Sequence, residues 1–400
     1  MAGSIPAEVT PALLVWAREQ SGYSADAVAK RLGVKTDRLA SWERGDRKPT
    51  VRQTQELAKY YHRPFGVFFL PQPPSIPPLA AEYRRLPSVK PGVESPQFRL
   101  ALRVMSQRRE IALELNEELG SEITEFTTTA HLSEGPVTVG ARIRDVLGLT
   151  VEEQLGWHDE WQAWRRWRSV VEDVGVLVFQ FPKVPLEEAR GLSLLLFPLP
   201  VVGINSKEQA PGSRVFSMIH ELIHVGLALG KEEKVALNEA RNDAEWEQME
   251  RFAEEAASET IIPQHALVEL LQGLSIARDT WDIQQVRALA TKFRVTPLAM
   301  ATRLRAAGAF SWDGYQRWKA AWEEYLAGLK PAGGGIATPV DKTIGRGGRP
   351  FAQLVLEALD SNRITAVEAS HYLDLRFDRF DQLRAELRSG ATNLVADDSD

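Results

Sequence analysis

The sequence predicts a mainly α-helical chain with a small β-sheet, an α+β fold class, and three observations lead to this prediction. Apolar residues recur at intervals of three and four through most of the chain, which is the period of an amphipathic helix. Three short apolar runs bounded by proline, glycine or charged residues have the pattern of strands. Stretches rich in proline (71–90) or glycine (330–350) divide the 400 residues, a length typical of roughly two to three domains.

The first 70 residues are predicted to form an all-α domain of four short helices. Glycine and proline mark the helix ends, and Ser24, Thr36 and Thr50 are the expected N-caps. The expected helices are Pro11–Gln20, Ser24–Leu32, Thr36–Arg44 and Thr50–Tyr61. Because proline cannot continue a helix, we assign residues 71–90 to a linker.

Residues 91–329 are predicted to form a second, larger domain in which helices flank a short run of strands. The expected helices are Pro96–Leu119, Trp157–Val171, Ser213–Leu229 and Ala244–Thr260, and the expected strands are Val174–Phe181, Leu192–Phe197 and Val201–Asn205. The glycine-rich segment 330–350 lacks periodicity and is predicted to be a flexible linker. A small helical module (351–390) and a disordered tail (391–400) follow.

The amino-acid composition excludes several kinds of protein and site. The chain has no cysteine, which excludes disulfides, catalytic thiols and thiolate zinc sites. No segment approaches the roughly 18 apolar residues of a membrane helix, and no signal peptide is recognisable, so we expect a cytoplasmic protein without membrane contact. The net charge of −6 is uneven, because residues 1–70 carry +4 and the remainder −10. The two parts are therefore expected to bind different partners.

A metal site is predicted at the HExxH pentad 220–224, which lies in a stretch with helical periodicity. His220 and His224 are one turn apart on the same face, so two imidazole nitrogens can converge on one zinc ion. Glu221, between them, is expected to be the general base that takes a proton from water activated by zinc. Composition alone produces such a pentad in about one in a hundred chains of this size. The alternative is a surface helix with two histidines and a charge.

A catalytic zinc ion needs a third protein ligand, and without cysteine this must be His, Glu or Asp. Glu250, on the helix that ends near Pro263, is the best candidate, with Glu247 and Glu255 as alternatives. Glu254 lies one turn further along the same face, where a carboxylate could accept the free N–H of a ligating histidine. The alternative for the whole set is a solvated charged face.

Hydrolysis at a zinc centre forms an oxyanion that needs a donor besides the metal, and two residues are candidates for this role. His265 follows the helix of Glu250, and Arg303 lies on a later amphipathic helix. Each has a structural alternative, because a lone histidine at a helix start and an arginine on such a helix often serve packing.

The residues around the pentad resemble the ImmA/IrrE metallopeptidases. The resemblance rests on the run 214–224 and on Glu250-x-x-Ala253-Glu254-x-x-Ala257 followed by 260–263, and it covers about residues 80–310. It implies a gluzincin-like zinc peptidase body with His220, His224 and Glu250 as ligands and Glu221 as general base. It also implies a protein substrate such as a repressor, cleaved after a stress, phage or mobile-element signal, and a possible toxin or other regulatory partner.

The N-terminal domain has helix-turn-helix spacing. Ala29 and Gly33 frame the turn, while Leu39 and Trp42 hold the second helix and leave its polar residues free to enter a major groove. The stretch 33–49 resembles the XRE/Cro-type repressors. The candidate base-edge residues are Arg38 and Ser41, the candidate phosphate contacts are Arg44, Arg47 and Lys48, and Lys35 lies on the same surface. The alternative is a helix-turn-helix fold kept for protein contact or dimerisation.

Together these features predict a cytoplasmic regulator that binds double-stranded DNA through residues 1–70, as a homodimer associated with the nucleoid, and cleaves a partner protein with a zinc centre. The alternative is a non-proteolytic transcriptional regulator or antitoxin-like protein that uses the peptidase fold to sense or grip a partner. The C-terminal module carries Asp374, Asp378 and Asp381, which argue against DNA contact, so we expect it to bind protein or to dimerise.

Overall fold

The computed structural model describes residues 5–75, 94–231, 243–274, 276–328 and 337–395. This part of the chain is mainly α-helical with a three-stranded sheet, which confirms the predicted fold class. It forms two compact units, of which the first contains the described residues up to 104 and the second those from 105 onward. Among the described residues, no helix is both long and apolar enough to cross a membrane.

In the first unit, four helices lie where the sequence predicts them, with ends that differ by one residue at most. They are α1 (Pro11–Gln20), α2 (Ala25–Leu32), α3 (Thr36–Glu43) and α4 (Val51–Tyr61), followed by a short 3-10 helix at Phe65–Phe69. Ser24 and Thr50 cap α2 and α4 through their side chains, as predicted. The prediction that Thr36 is an N-cap is wrong, because Lys35 precedes α3 and the Thr36 hydroxyl donates to Asp26 at 2.7 Å.

The first unit extends beyond residue 70 because it includes the start of the long helix α5 (Pro96–Leu119). Arg99 donates to the carbonyl of Glu19 at 2.9 Å, and Arg103 donates to that of Tyr61 at 3.2 Å. Residues 76–93, which include most of the predicted linker 71–90, lie outside the described residues.

The second unit contains the rest of α5 and most of the other elements. Its helices up to residue 327 are α6 (Pro136–Val146), α7 (Val151–Gly156), α8 (Glu160–Asp173), α9 (Pro211–Leu229), α10 (Asp243–Ile261), α11 (Gln264–Gln272), α12 (Ile283–Phe293), α13 (Pro297–Ala306) and α14 (Trp312–Ala327). Its strands are β1 (Leu177–Phe181), β2 (Gly191–Leu194) and β3 (Val201–Asn205). A shared core of buried apolar residues joins α6, α8, α9, α10 and the sheet.

The sheet has the order β1-β3-β2, so β3 is its central strand. β1 runs parallel to β3, while β2 runs antiparallel to it with Gly191 opposite Ile204 and Ser193 opposite Val202. Val202 and Ile204 belong to the same buried core as the apolar residues of α9. The sheet is therefore the platform against which α9 packs.

Within the described residues 337–395, the C-terminal module contains four α-helices and contacts β1. The α-helices are α15 (Pro339–Gly347), α16 (Arg349–Asp360), α17 (Ala366–Leu373) and α18 (Phe380–Val395), and a short 3-10 helix at Phe377–Arg379 precedes α18. The prediction of a flexible linker over 330–350 is wrong for α15, whose last carbonyls are capped by core arginines. Arg168 donates to the carbonyls of Ile344 (3.2 Å) and Gly345 (3.0 Å), and Arg108 donates to that of Arg346 at 2.9 Å.

The predicted disordered tail at 391–400 is also partly wrong. α18 continues to Val395, because no proline interrupts the sequence after residue 380. Residues 396–400 lie outside the described residues.

Candidate metal centre

Two packed helices place the candidate metal ligands. α9 begins with Pro211 at its first position and buries most of its residues, because apolar side chains lie on several of its faces. α10 packs against α9 and α6. His220 and His224 lie on α9 one turn apart, and Glu250 lies on α10.

The side-chain donors of His220, His224 and Glu250 converge, with all three ligand atoms within 4.8 Å of one another. The Nε2 atoms of the two histidines are 3.3 Å apart. Oε2 of Glu250 is 3.4 Å from Nε2 of His220, and its Oε1 is 3.6 Å from Nε2 of His224. Ligands at the corners of a tetrahedron about 2.0–2.1 Å from zinc are separated by about 3.3–3.4 Å. Both the spacing and the donor types therefore fit a zinc ion.

The burial of the three donors is graded. The His224 side chain is fully buried, whereas those of His220 and Glu250 are 12% and 16% exposed. A catalytic metal needs protein ligands on one side and an accessible position on the other. The graded exposure is compatible with such a one-sided site.

The carboxylate of Glu221 lies against the first residue of β2. Glu221 is 2% exposed. A methyl group built on Gly191 would lie 2.9 Å from Cγ and 3.0 Å from Oε1 of Glu221. The edge strand β2 therefore lies so close to the candidate general base that a side chain at position 191 would clash with Glu221.

A buried carboxylate connects the start of β2 to α9. Glu208 is 3% exposed; its Oε2 accepts a hydrogen bond from the Ser217 hydroxyl at 2.9 Å, and its Oε1 accepts one from Arg190 at 3.2 Å. Burial raises the pKa of the Glu208 carboxyl, while the bonds from Ser217 and Arg190 act in the opposite direction. Ser217 is one turn before Glu221, and Arg190 directly precedes Gly191. The two contacts thus fix β2 against the metal-binding face of α9.

The other predicted members of the site lie on more exposed surfaces or are engaged elsewhere. Glu254, Glu247 and Glu255 are exposed on α10, and His265 is exposed near the start of α11. None of the four belongs to the cluster of three donors found among the described residues.

Arg303 is buried in a structural ion pair. Its Nε donates to the carbonyl of Ile262 at 2.9 Å, and its guanidinium pairs with the carboxylate of Glu259. Burial lowers the pKa of Arg303. These contacts fix the end of α10. They agree with the alternative that Arg303 serves packing and is not an oxyanion donor.

The sequence did not predict that Gly191, Glu208 and Ser217 contribute to the site. A signal for Gly191 was present, since a glycine at the start of an apolar strand often marks a close approach of other atoms. Glu208 and Ser217 carried none, because their contact depends on how the loop after β3 folds back onto α9.

The predicted DNA-binding residues lie in α3 or within five residues of its ends, and most are exposed. Lys35, Arg38, Arg44, Arg47 and Lys48 are all exposed. Arg44 pairs with Asp46 and Lys48 with Glu8.

Ser41 differs from these residues, because it is only 9% exposed and its hydroxyl donates to the carbonyl of Arg38 at 2.7 Å. This position is less available to a base edge than the sequence predicted. The stretch from Gly33 to Arg47 nevertheless contributes nine residues, Ser41 among them, to the lining of a cavity of about 720 Å³. The charged residues of this lining are Lys35, Arg38, Arg44, Arg47, Asp37 and Asp46.

Comparison with known proteins agrees with this description. Residues 171–305 match the peptidase family model described as the IrrE N-terminal-like domain, and residues 14–68 match the model described as helix-turn-helix. These matches confirm both resemblances stated from the sequence. No curated protein and no solved structure matches the chain significantly. The chain thus combines a metallopeptidase-like domain with a helix-turn-helix domain. The helix-turn-helix match supports DNA binding by the first unit.

Proposed function

We propose that the protein is a DNA-binding regulator whose second unit is a zinc-dependent endopeptidase that cleaves a repressor or a similar partner protein. The observation that carries the proposal is the convergence of His220, His224 and Glu250. It occurs within the segment that matches the IrrE N-terminal-like peptidase domain. The alternative is a helix whose charged residues are only solvated. It does not explain why donor atoms from two helices lie at distances typical of ligands of one metal ion.

In this proposal three residues of the site bind the metal ion and a fourth transfers protons. His220, His224 and Glu250 hold the metal ion. A zinc ion bound there would be the Lewis acid that activates water and polarises the scissile carbonyl. Glu221 takes a proton from the attacking water and passes it to the leaving amine, a role suited to a carboxylate held in a largely buried position.

The first unit would bring the peptidase to DNA. Its exposed cations around α3 are suited to phosphate contacts, and helix-turn-helix proteins commonly act as dimers on two half-sites. We therefore propose a homodimer bound to double-stranded DNA in the cytoplasm. A stress or mobile-element signal, or a toxin-antitoxin partnership, would then be the context of cleavage.

A comparison of new protein N-termini tests the proteolytic function even while the identity of the substrate is open. Zinc-loaded wild type and Glu221→Gln are each added to a lysate of the cells that carry the gene, and N-terminal peptides are quantified by mass spectrometry. Cleavage sites that appear with wild type and are absent with Glu221→Gln support the endopeptidase. If both proteins bind stoichiometric zinc and produce the same N-termini, the peptidase fold senses or grips a partner and does not cleave it.

A further inference from the structure

We propose that Gly191 is a positioning residue for Glu221: the missing side chain at the start of β2 provides the space that the Glu221 carboxylate occupies. This inference rests on the proposed function, because it assigns a role to the strand beside the candidate general base. It concerns only residues of the second unit.

Steric space, and not backbone conformation, accounts for glycine at this position. The φ of Gly191 is outside the positive range that favours glycine, and residues 191–194 form a regular antiparallel pair with β3. In contrast, a methyl group at 191 would lie 2.9 Å from Cγ, 3.0 Å from Oε1 and 3.3 Å from Cδ of Glu221. All three contacts involve the same side chain. The space left by the glycine is therefore filled by Glu221.

The backbone of β2 is anchored to β3 and to α9 directly before Gly191. The N–H of Asn205 donates to the carbonyl of Arg190 at 2.8 Å, directly before Gly191. The Arg190 guanidinium reaches Glu208 at 3.2 Å, and Glu208 in turn accepts a bond from Ser217 of α9. Since strand and helix are joined on this side, a methyl group at 191 displaces the side chain of Glu221.

Displacement of the carboxylate affects proton transfer and leaves metal binding intact. The three metal donors are on His220, His224 and Glu250, and no clash of the added methyl group involves them. A general base contributes about 10²–10⁴-fold to rate and must be within hydrogen-bond reach of its proton. Gly191→Ala is therefore expected to reduce kcat by roughly 100-fold or more, with KM and zinc affinity unchanged.

Gly203→Ala is a matched control in the neighbouring strand. A methyl group there would lie 2.6 Å from Sδ of Met105 and 3.2 Å from Cγ of Leu192, so it produces a comparable clash with side chains other than Glu221. This variant introduces the same chemical change into the same sheet, and the three atoms nearest to its methyl group belong to Met105 and Leu192, not to Glu221.

The test compares Gly191→Ala, Gly203→Ala, Glu221→Gln and the double variant Gly191→Ala/Glu221→Gln on a peptide that spans a bond cleaved by wild type. We expect Gly191→Ala to lose turnover, Gly203→Ala to retain it, and the double variant to be no slower than Glu221→Gln alone. Additive losses, or full turnover in Gly191→Ala, would overturn the positioning role. If Glu221→Gln itself cleaves as fast as wild type, the proposed function fails instead.

A second measurement needs neither substrate nor metal. Thermal unfolding of the metal-free full-length chain is followed for Gly191→Ala in the wild-type and Glu221→Ala backgrounds. Because Glu221→Ala removes Cγ, Cδ and Oε1, we expect Gly191→Ala to lower the midpoint by roughly 2–4 °C in the first background and to leave it unchanged in the second. The inference is contradicted if Gly191→Ala changes the unfolding midpoint by the same amount in both backgrounds, or changes it in neither.

Discussion

The Nε2 atoms of His220 and His224 lie 3.3 Å apart, and both face the carboxylate of Glu250 across a helix interface. At this distance either one Nε2–H donates to the other nitrogen, or both nitrogen lone pairs point at one bound cation. The third donor comes from α10, which packs on α9 through apolar residues. The interface between these two helices therefore determines whether the metal site exists.

The choice of Glu250 as third ligand can be tested against Glu247 on the same helix. Glu250→Ala removes a donor of the cluster, so we expect zinc affinity to fall by more than about 100-fold, beyond the loss typical of a residue that only supports a ligand. Competition with a chelating dye measures the affinity. Glu247→Ala, an exposed carboxylate one turn earlier, is the control and should bind zinc like wild type. Equal losses in the two variants would contradict the assignment.

The cations around α3 predict a salt-dependent DNA affinity. Arg47→Ala should weaken binding to a nonspecific duplex and reduce the slope of log affinity against log salt by about 1, because one phosphate contact is lost. Fluorescence anisotropy at several salt concentrations measures both quantities. Arg52→Ala removes an equal charge from α4, where the side chain is 88% exposed and pairs with Glu56. A slope change of the same size in Arg52→Ala would argue against a localised DNA surface.

Arg303 is expected to contribute to stability and not to stabilise an oxyanion. Arg303→Met leaves the carboxylate of Glu259 buried without its cation, which should lower the free energy of unfolding by about 3–5 kcal/mol. Adding Glu259→Gln should restore part of this loss. Urea unfolding measures the effect. An oxyanion donor would show the opposite pattern, with reduced turnover and unchanged stability in Arg303→Met.

α15 packs against β1, and this packing predicts that alanine substitutions at two nearby glycines have different effects on stability. Gly348 has a φ of +79°, and a methyl group there would lie 2.5 Å from Oε1 of Glu172 and 3.3 Å from the carbonyl oxygen of Val178. Gly348→Ala should therefore destabilise the chain by on the order of 1–3 kcal/mol. Gly345→Ala, inside α15 with its nearest atom 3.7 Å away, should be neutral or stabilising. Equal and negligible effects in urea unfolding would support a flexible linker at this position.

Local sequence signals predicted most of the secondary structure and the metal-binding pair. The ends of α1 and α5 coincide with the predicted ends, since proline begins each helix and the apolar period continues to the last turn. His220 and His224 were found because helical spacing alone places them on one face. These features depend on residues close together in the chain.

Features that depend on distant contacts were not predictable in the same way. α15 was assigned to a linker because it contains Gly345 and Gly347 and is flanked by further glycines, whereas Arg168 and Arg108 stabilise its last carbonyls from other helices. The role of Arg303 depends in the same way on contacts with residues of the α10 end, far from it in the chain. The sequence favours Glu250 among the three candidate glutamates of α10. The packing of α10 against α9 then brings the carboxylate of Glu250 into the cluster of donors and leaves Glu247 and Glu255 exposed.

Zinc content of the purified full-length protein, measured by mass spectrometry of the metal beside His224→Ala, tests the central claim most directly. His224 is a fully buried donor of the cluster, so its loss leaves two donors where three are needed. We expect one zinc ion per wild-type chain and almost none in a folded His224→Ala chain. Wild type without zinc after refolding in its presence, or equal zinc in the two proteins, would contradict the account.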